Sequence, residues 1–139
     1  MKVHGERVRA YLYDIKRNAL DLESMIAKNA DEAILKDPVL LKAVKYTLIE
    51  IAEAMANALQ HLLARGMGKP VSGYIDTLLK ARENNVIGEE LFSSLKPFFE
   101  FRNALIHRYW TMDDALILRN CRAGVKEFHA FIDAIERFL

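Results

Sequence analysis

The chain has 139 residues, of which 52% are hydrophobic, with only three prolines and six glycines. A chain of this length can bury a real core as one domain, and this composition excludes a disordered chain. The formal net charge of +1 excludes a global basic field, so any contact with nucleic acid must come from a local patch. Candidates for such a patch are Arg102, Arg108, Arg119 and Arg122. For Arg119 and Arg122 we favour a plain solvated helix surface.

The single cysteine, Cys121, excludes an internal disulfide and favours a reducing compartment. It falls on an apolar helical stripe, where a buried thiol is more common than a nucleophile. The sequence shows no signal peptide and no membrane-spanning run. We therefore expect a cytoplasmic protein with no membrane partner.

Hydrophobic residues recur at helical spacing in the first half of the chain. A first helix is predicted over about Glu6 to Lys28, and a break over Asn29 to Asp37. Pro38 suits the first turn of a second helix that is predicted to end near Arg65. That helix would be about 42 Å long and would form the spine of the bundle. The two apolar stripes are Val8, Leu12, Ile15, Ala19, Leu22 and Ile26, and then Leu41, Val44, Leu48, Ile51, Met55, Ala58 and Leu62.

A polar column lies beside the stripe of the second helix. Glu53, Asn57 and His61 follow one another at intervals of four and therefore stack on one face. Such a column can be interpreted as metal ligands, as a hydrogen-bonded seam or as a wet face. We expect no metal, because the column has no second His or Cys and an amide is a poor zinc ligand.

Glycines mark the end of the second helix, as they do just past a helix C-terminus. Gly66 and Gly68 take this place, and Gly68-Lys69 completes a Gly-x-Gly-Lys stretch. This stretch has neither the Walker spacing nor a preceding strand, so we interpret it as a turn rather than a phosphate loop. A short helix is predicted next, over about Tyr74 to Arg82, with Tyr74, Leu78 and Ala81 facing inward.

Two further helices are predicted in the last third of the chain. Glu89 and Glu90 favour a helix start, and Pro97 is expected to bend or restart that helix, which should end just after His107. Thr111, with an acid three residues later, predicts the cap of a last helix that runs to about Phe138. Since no strand pattern competes, we predict one all-α domain over residues 1–139. Its architecture would be an antiparallel up-and-down bundle of four long helices and a short one.

The segment from Phe101 to Trp110 places polar side chains among large apolar ones. Asn103 and His107 are four apart and share a helix face. Arg102 precedes His107 by five residues, which is about 140° around a helix and roughly 7.5 Å along it. Arg102 and His107 can therefore meet only around a ligand that crosses the helix end, or through a second chain. On spacing alone, an Arg and a His that merely cap a helix end are the simpler interpretation.

The run Arg102-Asn103, three residues, His107, one residue, Tyr109 resembles the signature of HEPN-domain proteins of the HepT type. Phe101 before the run and Trp110 after it fit the same signature. Upstream segments also resemble the family's pattern, so that the resemblance covers most of the chain from about Leu41: they are Glu53 to Ala64, Gly68 to Tyr74 and Asn85 to Leu91. The family more often has Asp at the position of Asn57 and Asn at the position of Gln60.

The resemblance implies an HEPN-like helical bundle that dimerises and pairs two motif copies in one cleft. It implies a metal-independent endoribonuclease that needs no cofactor and is often the toxin of a toxin–antitoxin pair. The antitoxin there is a minimal nucleotidyltransferase that adenylylates the motif tyrosine, here Tyr109. Related bundles serve as substrate-binding partners of nucleotidyltransferases, so a non-catalytic nucleotide- or substrate-binding module is the alternative function.

If the chain is an enzyme, the ribose 2′-hydroxyl of RNA attacks the neighbouring phosphate and cleaves the chain. We predict that His107 transfers protons and that Arg102 holds the phosphate. Asn103 would orient His107 or a phosphate oxygen, and Tyr109 would hydrogen-bond phosphate or stack a base. The supporting residues would be Glu53, Asn57 and His61.

The proposed chemistry requires an acid and a base, but each motif contains one histidine. Two motif copies in a homodimer would supply both groups. We hypothesise that Tyr109, Trp110 and Phe99 include residues of the dimer face, since together they exceed what one bundle is expected to bury.

Overall fold

The computed structural model describes residues 5–108 and 113–139, and of residues 105–108 it describes the backbone alone. These residues form no strand, and the prediction of an all-α bundle is confirmed. None of the described helices is long and apolar enough to cross a membrane. The helices are α1 (Gly5–Lys28), α2 (Asp31–Lys36), α3 (Pro38–His61), α4 (Gly73–Glu83), α5 (Glu89–Arg108) and α6 (Asp114–Glu136).

Helices α1 and α3 form the longest packed pair, and their buried faces match the predicted stripes. All six stripe residues of α1 are buried. Of the residues in the second predicted stripe, Leu41 is partly accessible and the others are buried. Asp37 caps α3, since its carboxylate accepts hydrogen bonds from the backbone N–H groups of Val39 and Leu40. The α-helix ends at His61 rather than near Arg65, because one π-helical turn, Leu62–Gly66, follows it. Gly68 then takes a φ of 65°, which glycine adopts without strain.

A short helix occupies the segment that the sequence predicts as a break. Helix α2 has acids in its first turn and Lys36 in its last, both of which suit the helix dipole. It buries only one side chain, Ile34. A single buried residue produces no periodic signal, which is why the prediction of a break over 29–37 is wrong.

Arg122 is exposed, as the sequence suggests, but its guanidinium is also held within the fold. Its guanidinium donates to the carbonyls of Ile26 (2.8 Å) and Asn29 (2.7 Å) at the end of α1, and it pairs with Asp31 at 2.5 Å. It therefore satisfies carbonyls that the end of α1 leaves without helical partners. Because its donors are used within the fold, Arg122 is a poor candidate for an RNA-binding patch. Arg119 is exposed, as expected.

Helices α5 and α6 flank the end of the motif, since α5 runs to Arg108 and α6 begins at Asp114. Helix α5 continues through Pro97 without restarting. Asp113 caps α6 by accepting a hydrogen bond from the Leu116 N–H at 3.1 Å. The predicted cap, Thr111, lies outside the described residues. Helix α6 ends at Glu136, two residues before the predicted end.

Phe99 is fully buried inside the bundle, which excludes it from the three residues considered for a dimer face. Its neighbour Phe98 lies edge-on to Phe128 of α6, with ring centroids 4.8 Å apart. Tyr109 and Trp110, the other two residues of that hypothesis, lie outside the described residues.

Gly124 allows the close approach of α6 to Phe98, and Gly124→Ala is expected to destabilise the protein. A Cβ at this position would lie 2.7 Å from Phe98 Cε2, and the ring is held by Phe128. Overpacking of this kind costs about 1–3 kcal/mol, which exceeds the roughly 1 kcal/mol that alanine gains over glycine in a helix. Urea unfolding of both proteins measures the difference.

The neighbouring exposed Ala123 provides the matched control for that measurement. Ala123→Gly changes helix propensity alone and should lower the free energy of unfolding by about 1 kcal/mol. An increase of similar size for Gly124→Ala would mean that Phe98 does not confine this position.

Candidate active site

Arg102 is fixed by a carboxylate from another helix. Its Nε and Nη2 atoms lie 3.0 Å and 2.8 Å from the same oxygen of Glu53, Oε1, on α3. The Arg102 side chain is only 15% exposed, whereas that of Glu53 is 42% exposed. Charge-assisted hydrogen bonds of this length are strong and directional, so the plane of the guanidinium is defined.

Tyr74 covers one face of the same guanidinium. The Arg102 Cζ lies 4.9 Å from the centroid of the Tyr74 ring, a cation–π distance. Glu53 and Tyr74 thus hold Arg102 from its edge and from its face. Since a guanidinium has five N–H donors, its remaining donors can bind a further acceptor such as a phosphate oxygen.

A hydrogen-bonded link between α3 and α4 positions Tyr74. Gln60 Nε2 donates to Thr77 Oγ1 at 3.4 Å, and the fully buried Thr77 donates to the Gly73 carbonyl at 2.6 Å. Of the inward residues predicted on α4, Leu78 and Ala81 are buried and Tyr74 is half-buried. Gln60 on α3 is therefore linked through Thr77 to the first turn of α4, where the Tyr74 ring lies against the Arg102 guanidinium.

The start of α4 is held by Asp76. Its carboxylate accepts a hydrogen bond from the Ser72 N–H at 2.8 Å and one from Lys80 at 2.9 Å. The Ser72 backbone hydrogen bond, followed by that from Lys80, lowers the pKa of Asp76 below its ordinary value. The carboxylate is thus charged at neutral pH, in the first turn of α4 where the dipole favours it.

The other predicted site residues differ in their surroundings. Asn103 on α5 and Asn57 on α3 are exposed, while His61 is half-buried. Among the described side chains, no group of three or more His, Cys, Asp or Glu residues is arranged to hold a metal ion. The side chain of His107 and the whole of Tyr109 lie outside the described part of the chain.

Residues 15–135 match the family model described as Ribonuclease HepT-like, which is most of the chain. The chain belongs to the HepT-like ribonuclease family. The resemblance drawn from the Arg102–Tyr109 motif is therefore confirmed.

Relatives of this HepT-like chain include an Archaeoglobus fulgidus protein named "Putative RNase". The two are 29% identical over 105 residues, which are 76% of this chain and 79% of the relative. Among solved structures, a tri-AMPylated Shewanella oneidensis HEPN toxin in complex with an MNT antitoxin superposes with a TM-score of 0.85. It is 20% identical and covers 99% of both chains. Bacillus subtilis YutE, a cytosolic protein of unknown function, has a TM-score of 0.83 at 14% identity, covering 99% of this chain and 91% of its own.

Tyr74 is the site contact that sequence reasoning missed in this HepT-like chain. Its spacing with Leu78 and Ala81 marks it as an inward-facing residue, and nothing in that pattern connects it with Arg102. The available signal was its place in the second upstream segment that resembles the family. The contact joins α4 to α5, so it can be recognised only once the fold is known.

Cys121 is expected to be inert in the folded protein. It is fully buried, and desolvation raises the pKa of its thiol from 9.0 to about 12. At pH 8 a thiol reagent should therefore label the native protein at least about a thousandfold more slowly than the urea-unfolded protein. Because the unfolded thiol loses its proton first, the free energy of unfolding should fall as the pH rises from 9 towards 12. Equal labelling rates would contradict the burial.

Proposed function

We propose that this protein is a metal-independent endoribonuclease and the toxin of a toxin–antitoxin pair. The observation that carries the proposal is the fixed guanidinium of Arg102, held by Glu53 and Tyr74 at the first residue of the motif. A pre-oriented arginine suits a reaction in which charge develops on phosphorane oxygens. Membership of the HepT-like ribonuclease family supports the same substrate class.

In the proposed reaction, the 2′-hydroxyl attacks the adjacent phosphorus and the 5′-oxygen leaves. A base takes the proton of the 2′-hydroxyl, and an acid returns a proton to the 5′-oxygen, which leaves a 2′,3′-cyclic phosphate. His107 performs proton transfer, and Arg102 stabilises the charge on the phosphate oxygens. Asn103 orients His107 or a phosphate oxygen. Glu53 supports Arg102 directly, while Asn57 and His61 support the cleft from the same helix.

The active form is proposed to be a homodimer. A second copy would supply the second histidine of an acid–base pair. An apolar groove of about 360 Å³ lies between α5 and α6, is lined in part by Phe101, Ala104 and Leu116, and reaches Asp113. Its Leu116 is 44% exposed, so the groove adds apolar surface beside the motif segment. Light scattering that shows a monomer at micromolar concentration would contradict the dimer.

The proposed partner is a minimal nucleotidyltransferase that acts as the antitoxin in the cytoplasm. Support comes from the fold, which matches that of an AMPylated HEPN toxin solved with an MNT antitoxin. By this proposal the antitoxin transfers AMP from ATP to the hydroxyl of Tyr109, two residues beyond His107, and pyrophosphate leaves. The added phosphate and nucleoside would then occupy the cleft and bring negative charge to Arg102.

Digestion of total RNA with a chelator present tests the proposed activity. The purified protein should cleave RNA and leave 2′,3′-cyclic phosphate ends, and His107→Ala should abolish cleavage. A His107→Ala variant that cuts RNA at the parent rate would refute the assignment. If the parent protein binds nucleotides but cuts no RNA, it is the non-catalytic partner of a nucleotidyltransferase instead.

A further inference from the structure

The carboxylate of Glu53 keeps one of its two oxygens open beside Arg102. The Nε and Nη2 atoms of the guanidinium both donate to the same oxygen, Oε1. Arginine–carboxylate pairs are frequently bidentate, with one hydrogen bond to each oxygen, and such a pair would occupy the whole carboxylate. Here no donor among the described residues binds Oε2, and the Glu53 side chain is 42% exposed. The second oxygen can therefore meet a ligand that approaches Arg102.

Glu53 is also the one carboxylate in the polar column of α3. Asn57, one turn further along the helix, is exposed, but an amide does not accept a proton as a base. His61 is half-buried, and its Nε2 atom is buried. Of these three side chains, Glu53 alone combines an accessible proton acceptor with a direct contact to Arg102.

The chemistry of RNA places a proton donor close to the phosphate that Arg102 is proposed to bind. The 2′-hydroxyl is attached to the ribose carbon next to the one that carries this phosphate through its oxygen. A phosphate on the remaining donors of Arg102 therefore brings the hydroxyl near the carboxylate that shares the same guanidinium. Carboxylates of Asp and Glu act as general bases in enzymes, so Oε2 is chemically suited to take the proton.

We propose that Glu53 is the general base of RNA cleavage. The inference rests on the proposed ribonuclease function, and it replaces the histidine of a second copy in the role of base. Oε2 takes the proton of the 2′-hydroxyl while the 2′-oxygen bonds to phosphorus. The bond from phosphorus to the 5′-oxygen breaks, and His107 gives its proton to that oxygen. Glu53 then releases its proton to water and His107 takes one up, which restores both groups.

A substrate whose leaving group needs no proton separates the base from the acid. In this RNA oligonucleotide, sulfur replaces the 5′-oxygen of the scissile bond, and a thiolate leaves readily because thiols are stronger acids than alcohols. With chelator present, His107→Ala should cut the sulfur substrate within about tenfold of the parent rate, although it does not cut ordinary RNA. If a histidine is the base, this variant stays inactive on the sulfur substrate, since a dimer of it contains no motif histidine.

Glu53→Gln removes the base and keeps an oxygen that can accept hydrogen bonds from Arg102. On the sulfur substrate, kcat per folded molecule should fall about 10²–10⁴-fold, the usual contribution of a general base. The remaining rate should rise by about tenfold per pH unit more steeply than that of the parent, because hydroxide then takes the proton. A purely structural role of Glu53 would lower the rate by the same factor at every pH.

Glu50 provides the matched control, three residues earlier on α3. It is half-buried, as Glu53 is, and it is not the carboxylate that binds Arg102. Glu50→Gln removes the same charge from the same helix and should leave kcat within about twofold of the parent value.

The outcomes separate this inference from the proposed function. Glu53→Gln with the parent rate or the parent pH slope overturns the base assignment, and so does His107→Ala that is inactive on the sulfur substrate. If Glu53→Gln does not fold, the His107→Ala measurement decides alone. A parent protein that cuts neither ordinary RNA nor the sulfur substrate overturns the ribonuclease function itself.

Discussion

Arg102→Ala is expected to lower kcat for RNA cleavage by about 10²–10³-fold, the loss typical of removing one donor that stabilises developing charge. The guanidinium is fixed between Glu53 and Tyr74 before RNA binds, so its contribution needs no reorganisation during the reaction. Steady-state cleavage of a defined RNA oligonucleotide gives kcat and KM separately. Because Arg102 is largely buried and paired, urea unfolding of the variant must accompany the kinetics.

Two further variants show what the Arg102 result means. Arg102→Lys keeps the charge but loses the planar fork that matches a phosphate, so it should recover only part of the rate. Arg119→Ala removes an exposed arginine from α6 and should leave kcat unchanged. Equal losses for Arg102→Ala and Arg119→Ala would indicate general loss of positive charge, and would contradict a specific role for Arg102.

Transfer of AMP to Tyr109 is expected to abolish cleavage almost completely. The modification would place a nucleotide and a negative phosphate two residues from His107, where both steric bulk and charge oppose RNA. Mass spectrometry of protein co-expressed with the proposed nucleotidyltransferase partner should locate the adduct, and the purified adduct should be assayed beside unmodified protein.

Other tyrosines provide the control for that modification. Tyr13 and Tyr46 are 67% and 62% exposed. Both should carry no adduct, although their side chains are accessible to solvent. An adduct on these tyrosines and not on Tyr109 would show that accessibility selects the site. Full cleavage by protein carrying AMP on Tyr109 would remove the inhibitory switch.

Much of the fold was predictable because long helices repeat their apolar residues. The stripe of α1 matches its buried face, and the proline at the start of α3 marks the helix N-terminus. Helix α2 was not predictable, since its single buried residue, Ile34, cannot reveal a period. Gly124 was also missed, because a glycine inside a helix signals a close contact only when the opposing ring is known.

The sequence singles out candidate site residues but not the contacts between them. The motif points to Arg102, and the polar column on α3 includes Glu53, yet nothing in their spacing pairs residues separated by nearly fifty positions. The stacking of Tyr74 on Arg102 depends on how α4 packs against α5. Arg122 shows the same limit: its exposure follows from the helical pattern, but its hydrogen bonds to carbonyls at the end of α1 do not.

Cleavage of an RNA oligonucleotide with a single 2′-deoxy substitution tests the central claim most directly. The cleavage site of the parent protein is first located with chelator present, and the nucleotide on its 5′ side is then replaced by its deoxy form. The proposed attack by the 2′-hydroxyl predicts that cleavage stops at that position and continues at unmodified sites with 2′,3′-cyclic phosphate ends. Cleavage of the deoxy-substituted bond at the original rate would contradict the account.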